Sequence, residues 1–179
     1  MARTDDSWIQ TYTGRKFWPH DPEPDDIVIE DVAHALALAN RYTGHTREPY
    51  SVAQHCVIMS WLCPDKKWAL MHDAAEAYLS DVARPVKRYL QGYAEMEDRL
   101  LACVAGKFGL AMPIPDCVHE WDKIMLTAER RDLINHKGED WFHIRGVTTL
   151  SYAIQAWPWS VAEKEFLHQF NKLWSNNVI

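Results

Sequence analysis

His72 and Asp73 stand side by side in the stretch 68–87, WALMHDAAEAYLSDVARPVK. Trp68, Met71, His72, Ala75 and Leu79 recur at helical spacing, which puts the imidazole on a buried face. A histidine and a carboxylate on an apolar face are costly unless something pairs with them, and a divalent ion would do so. Two further ligands fit. His55 lies in the first full turn of a helix beginning at Ser51, and Asp122 lies on the inner face of a later helix. Two imidazoles and two carboxylates suit one divalent transition metal: Mn, Co, Zn, Fe or Ni. Such an ion lowers the pKa of water enough to make hydroxide available near neutral pH. The plainer alternatives are a core ion pair for His72–Asp73 and simple packing for His55. Asp116 and Asp132 flank Asp122 and read as a cap and an exposed residue.

Other polar side chains are spaced to serve the same centre. Glu76 follows His72 by one helical turn, and Asp81 lies just past the helix. Either carboxylate is a candidate to hold or deprotonate a water, against plain readings as a surface charge and a turn residue. Arg41, Arg84 and Lys87 are the cations best placed in sequence to hold an anionic substrate. His45, Arg47 and His119 are further candidate substrate contacts. His34 reads as structural, with a contribution to the metal left open. Tyr42 or an N-terminal aromatic could stack on a base. Trp18, Trp61, Trp68 and Trp121 read as core.

The elements that must position these groups are helical. Residues 1–26 read as a turn-rich segment with a small hairpin, ending in the exposed connection PHDPEPDD. Hydrophobic spacing predicts helices over 29–40 (Val32, Ala35, Leu36 and Ala39 inward) and 66–79, the latter capped by Asp65; between them a Ser51/Gln54 capping box starts a helix that Pro64 stops at about 63. A break at 80–85 and a short turn follow. Further helices are predicted over 93–108, closed by Gly109, and over 116–135, capped by Asp116. The inner face of the latter is Val118, Trp121, Asp122, Met125 and Ala128, with Glu129 further along. Residues 136–158 read as irregular with an extended piece at 146–150. A last helix covers 161–174, packed through Val161, Phe166, Phe170 and Trp174. The expected class is all-α, a single domain over 1–179.

Composition narrows the partners. A net charge of −6 argues against a nucleic-acid polymer as ligand. Cys56, Cys63, Cys103 and Cys117 form no CxxC pair and read as reduced core residues of a cytoplasmic protein. No signal peptide or membrane-spanning apolar run is read from the chain.

SVAQH at 51–55, LMHDAAEAYLSD at 70–81 and PVK at 85–87 occur in that order. The order His, His-Asp, Asp resembles the HD-domain phosphohydrolases. Over residues 40–135 the chain resembles the bacterial 5′-deoxynucleotidases and the HD-type deoxynucleotide hydrolases of phages. The resemblance implies an all-helical HD domain with one divalent metal on His55, His72, Asp73 and Asp122. It places Glu76 and Asp81 at the family's catalytic acidic positions. Asn40-Arg41-Tyr42 matches the segment whose arginine grips substrate phosphate, and Lys87 matches a lysine after the HD helix. The implied activity is phosphate release from deoxynucleoside monophosphates. Triphosphate release from a dNTP is the alternative, and a non-catalytic nucleotide sensor is the alternative of another class. Only 17 residues separate His55 from His72, fewer than in the deoxynucleotidases. A homo-oligomer is a further possibility, and base preference is not readable.

Overall fold

The computed structural model describes residues 3–4 and 6–175; Met1, Ala2 and Asp5 of the N-terminal segment lie outside the described residues. Among the described residues helices hold 56% and strands 3%, so the class is all-α. The long helices are α1 (Ile29–Leu38), α2 (Val52–Leu62), α6 (Tyr93–Phe108), α7 (Asp116–Leu133) and α8 (Trp159–Ser175), with short pieces α3 (Lys66–Met71), α4 (Glu76–Leu79) and α5 (Arg84–Lys87) between them. The predicted hairpin is present, with β1 (Ile9–Gln10) antiparallel to β2 (Lys16–Phe17). Phe17 seats it on α4 by stacking on Tyr78 at 3.9 Å, and buried Asp31 ties it to α1 by accepting from Thr13 N and Oγ1. None of the helices among the described residues is long and apolar enough to cross a membrane.

α2 is the central helix. Every residue from Val52 to Ser60 is buried, which requires neighbours all round. α1, α3, α7 and α8 supply them. Ser51 caps α2 by accepting from Gln54 N at 3.1 Å. The predicted capping box is only half made, because the Gln54 side chain turns away. Its Nε2 donates to Gln155 O at 2.7 Å and its Oε1 accepts from Trp157 N at 2.8 Å. This fully buried amide fastens the irregular segment after α7 to the centre of the fold. Asp132, read from the sequence as exposed, is 11% exposed and accepts from Ile154 N at 2.8 Å. Between these anchors there is a 3-10 turn at Phe142–Ile144 but no strand at 146–150. Gln54→Leu leaves two backbone groups without partners, each worth about 1–3 kcal/mol. We expect it to lower the urea midpoint of unfolding accordingly, with helix content retained by circular dichroism.

Other boundaries move for local reasons. Asp116 is the first residue of α7, not its side-chain cap; Pro115 holds that position. There an acid still favours the helix N-terminus. α1 buries Val32, Ala33, Leu36 and Ala37, a face rotated slightly from the predicted one. In α8, Ala162, Phe166 and Gln169 face inward while Val161 is 41% exposed. Trp68 is core, as read, but Trp61 is 47% exposed. All four cysteines are free, two buried and two half-buried.

Candidate metal centre

The short spacing between His55 and His72 is explained by an α2–α3 helical hairpin. From His55 to the end of α2 the chain rises about 10 Å, turns at Cys63–Asp65, and descends about 9 Å along α3. The two histidines therefore meet at one end of the pair.

His72 and Asp73 are not mid-helix, as the periodicity suggested. α3 ends at Met71, and the next residues are closed by tighter bonds, Ala74 N to Met71 O and Glu76 N to Asp73 O, both 2.9 Å. The imidazole itself explains the break. His72 Nδ1 lies 2.9 Å from Ala69 O, the carbonyl that the next α-helical bond would use.

Both rings are fixed in the same tautomer. A backbone carbonyl only accepts, so His72 Nδ1 carries a proton. His55 Nδ1 lies 2.6 Å from Glu129 Oε1, and an ionised carboxylate also only accepts. In the neutral rings both Nε2 atoms are therefore lone pairs, and they face each other at 3.3 Å. With the carboxylates of Asp73 and Asp122 beside them, these two nitrogens take up either a proton or a metal ion. Asp73 Oδ2 lies 3.2 Å from His72 Nε2 and 3.8 Å from His55 Nε2. His55, His72 and Asp73 thus form a group that could hold a metal ion, with one atom of each within 4.8 Å of the others. The residues fit a borderline divalent ion by donor type and tautomer. Asp122 stands at the edge of this group, its Oδ1 3.4 Å from His55 Nε2.

The surroundings favour positive charge on both rings, so a proton and a metal ion compete for the two Nε2 atoms. Burial and Arg41 oppose a charge on His55, but Glu129 and Asp122 outweigh them and its pKa is raised. Burial likewise opposes a charge on His72, and Asp73 overrides it. Burial would raise Asp73 and Asp122, yet His72 and His55 respectively, helped by Arg41, hold both below the ordinary carboxylate range.

Arg41 belongs to the cluster. Its side chain is 12% exposed, with Nη1 3.2 Å from Asp73, Nη2 3.8 Å from Asp122 and Nε 3.2 Å from Glu129. Tyr42 and Thr43, just after it, have left-handed backbones (φ 59° and 54°) without being glycine. Strain of this kind collects where a site must be held in one geometry. Arg47 secures that loop, donating from its backbone to Leu133 O at 2.8 Å and from its side chain to Asp132 O.

Glu76 opens α4. It is 7% exposed, one oxygen 3.5 Å from Lys87 Nζ and the other without a hydrogen-bond partner. Burial, then the charges of Asp73 and Asp81, push its pKa well above the ordinary glutamate value. Asp81 is half-buried in the following loop and is raised too, by burial first and by Asp73, against Arg41. Between them Ser80 has φ 67°, the third non-glycine residue with a positive φ among the described residues. Lys87 is held 2.6 Å from Glu97 on α6. Arg84, 60% exposed, reaches within 4.0 Å of Asp122.

The remaining candidates lie apart. His45 and His119 are exposed; His45 meets the cluster through its backbone, N donating to Tyr42 O at 3.0 Å, and neither side chain bonds to it among the described residues. His34 stacks on Tyr12 and pairs with Glu163 at 3.2 Å. Tyr42 does not present its hydroxyl to solvent but donates it to Glu129 at 2.5 Å. Two open grooves, of about 360 and 320 Å³, are lined by neither histidine of the centre. Glu129 is the residue sequence reasoning passed over. It sat on the predicted inner face of α7 without a role, two turns after Asp122. That register was the signal, since a second buried carboxylate on one helix face needs partners.

The fold and site define an all-α protein with a partly buried His/His/Asp group that could hold a metal. No protein-family model matches the chain. It is 40% identical over 171 residues to the "Uncharacterized protein YfdR" of Escherichia coli (strain K12), spanning 93% of this chain and 96% of that protein. It is also 40% identical over 137 residues, 70% of each chain, to "Uncharacterized protein RCAP_rcc00048" of Rhodobacter capsulatus. The chain belongs to the YfdR family.

Proposed function

We propose that this protein is an HD-domain, metal-dependent phosphohydrolase of deoxynucleotides, releasing phosphate from dNMPs. One observation carries the reading. Two imidazole Nε2 atoms stand 3.3 Å apart, their Nδ1 atoms held on Glu129 and on Ala69 O, beside an ionised aspartate. His55, His72, Asp73 and Asp122 are the proposed ligands. A divalent ion held there supplies Lewis acidity toward a phosphoryl oxygen and a water of lowered pKa.

The chain's own groups supply the rest. Arg41 offers donors on the same side as Asp73 and Asp122, where the oxygens of a phosphoryl group would need them. Lys87 and Arg84 add positive charge at the rim. Glu76 is the base that orients and deprotonates the attacking water, its raised pKa making it a stronger acceptor than an ordinary glutamate. Asp81 is the second acid within reach. The water attacks phosphorus in line as its proton passes to Glu76, the bond to the nucleoside 5′-oxygen breaks and that oxygen takes up the proton, with positioning and charge stabilisation supplying most of the acceleration.

The test is a panel of dNMPs and dNTPs incubated with Co or Mn, the products separated by chromatography. Inorganic phosphate from dNMPs is the expected result. Triphosphate from dNTPs would move the reading to a triphosphohydrolase. Nucleotide binding without any product would favour a sensor and end the enzymatic reading.

A further inference from the structure

Glu129 is fully buried and both its oxygens are in use. Oε1 accepts from His55 Nδ1 at 2.6 Å and from Tyr50 OH at 3.0 Å. Oε2 accepts from Arg41 Nε at 3.2 Å and from Tyr42 OH at 2.5 Å. One side touches a proposed metal ligand and the other touches the proposed phosphate-binding arginine. The ends of α2, α7 and the strained Arg41–Gly44 turn all converge on this one carboxylate.

We infer that Glu129 is a positioning residue that couples the two halves of the site. It holds His55 in the tautomer that frees Nε2, and with its other oxygen it fixes the direction in which Arg41 presents its Nη donors. This rests on the metal-dependent reading above and adds to it a residue that touches neither metal nor substrate. A carboxylate is required because each of its oxygens meets an N–H that can only donate there. Carboxylate–histidine pairs of this kind orient metal ligands in general. What is particular here is the shared second oxygen, which makes metal affinity and arginine geometry depend on the same residue.

Glu129→Gln tests this because an amide has one oxygen and one NH2 group. With its NH2 toward His55, the ring must accept at Nδ1 and carry its proton on Nε2, so the ligand is lost. With its NH2 toward Arg41, two donors oppose each other and the guanidinium must move. Neither orientation serves both arms. Three measurements read the outcome: Co(II) affinity by titration, the His55 tautomer by long-range 1H–15N NMR, and KM for the best dNMP.

We expect wild-type His55 to be the Nδ1–H tautomer. In Glu129→Gln we expect one of two results. Either Co(II) affinity falls at least about tenfold with His55 switched to Nε2–H, or affinity holds and KM rises at least about tenfold with the Arg41 Nε–H resonance displaced. Wild-type His55 found as Nε2–H overturns the inference, and that measurement stands even if the variant does not fold. A folded variant with affinity, tautomer and KM all unchanged overturns it as well. A wild type that binds Co(II) but hydrolyses no nucleotide sinks only the nucleotide reading, and Glu129 is then judged on affinity and tautomer. A wild type that binds no Co(II) sinks both.

Discussion

Asp73→Ala is expected to abolish divalent-metal binding and phosphate release together. The Asp73 carboxylate reaches both Nε2 atoms, at 3.2 and 3.8 Å, and accepts from Arg41 at 3.2 Å. Burial would protonate it, yet His72 and Arg41 keep it ionised far below neutral pH. It is therefore a full negative charge at the point where two imidazole lone pairs converge. Its removal leaves two imidazoles and the single carboxylate of Asp122, whose charge the neighbouring Arg41 guanidinium offsets, too little to hold a divalent ion. Losing the ion removes several kcal/mol of transition-state stabilisation, on the order of 10³-fold or more in rate. Bound metal by mass spectrometry and phosphate release by chromatography should fall in step. Circular dichroism should remain helical, because α2 and α3 are held by Trp68, Leu70, Met71 and their neighbours in the core. A folded variant that still releases phosphate within tenfold of the wild-type rate would remove the metal from the mechanism.

α6 and α7 were legible because their burial has a period, and α2 because Ser51 and Gln54 mark its start. α2, α6 and α7 fall within two residues of their predicted ends, and the hairpin lies where the turn residues placed it. His55 and His72 were legible as a pair because each is a polar group on an apolar face. What the sequence hid is non-local or depends on one side chain acting on the backbone. Arg41 and Tyr42 meet Glu129 across 88 and 87 residues, and no local pattern encodes such a contact. The break at His72 is set by a ring nitrogen taking Ala69's carbonyl in a run of good helix formers, where propensity alone favours continuity. The left-handed Tyr42 and Thr43 carry no glycine to announce them. The inward turn of Gln54 is hidden too, because its partners at Gln155 and Trp157 lie in a segment without periodicity. Tyr42 shows the cost of reading a role from residue type alone. An aromatic beside the arginine suggested a face for a base, whereas its hydroxyl is committed to the carboxylate behind the site.

Glu76→Gln should separate chemistry from metal binding. Glu76 lies outside the His55, His72, Asp73 group, so Co(II) affinity should stay within a few-fold of wild type. The amide is isosteric and leaves Lys87 on its closer partner, Glu97, so KM should also hold. What is lost is the ability to accept a proton, and kcat should fall about 10²–10⁴-fold. Asp81→Asn, farther from full burial, should cost less. The same substitution should stabilise the fold. Glu76 is a buried acid with one unpartnered oxygen, and its folded pKa is raised well above 4.5 by burial and by Asp73 and Asp81. The sign follows from linkage. A raised carboxyl leaves the folded state holding a proton that the unfolded state has released, so wild-type stability declines as pH rises from about 4.5 through the folded value. Glutamine has no such decline, and the variant's advantage in Tm, measured without added divalent ion, should grow over that window and then level off. An active site that costs stability is the expected relation between function and fold. Retention of kcat within threefold in Glu76→Gln would remove Glu76 as the base and leave Asp81 to carry that role.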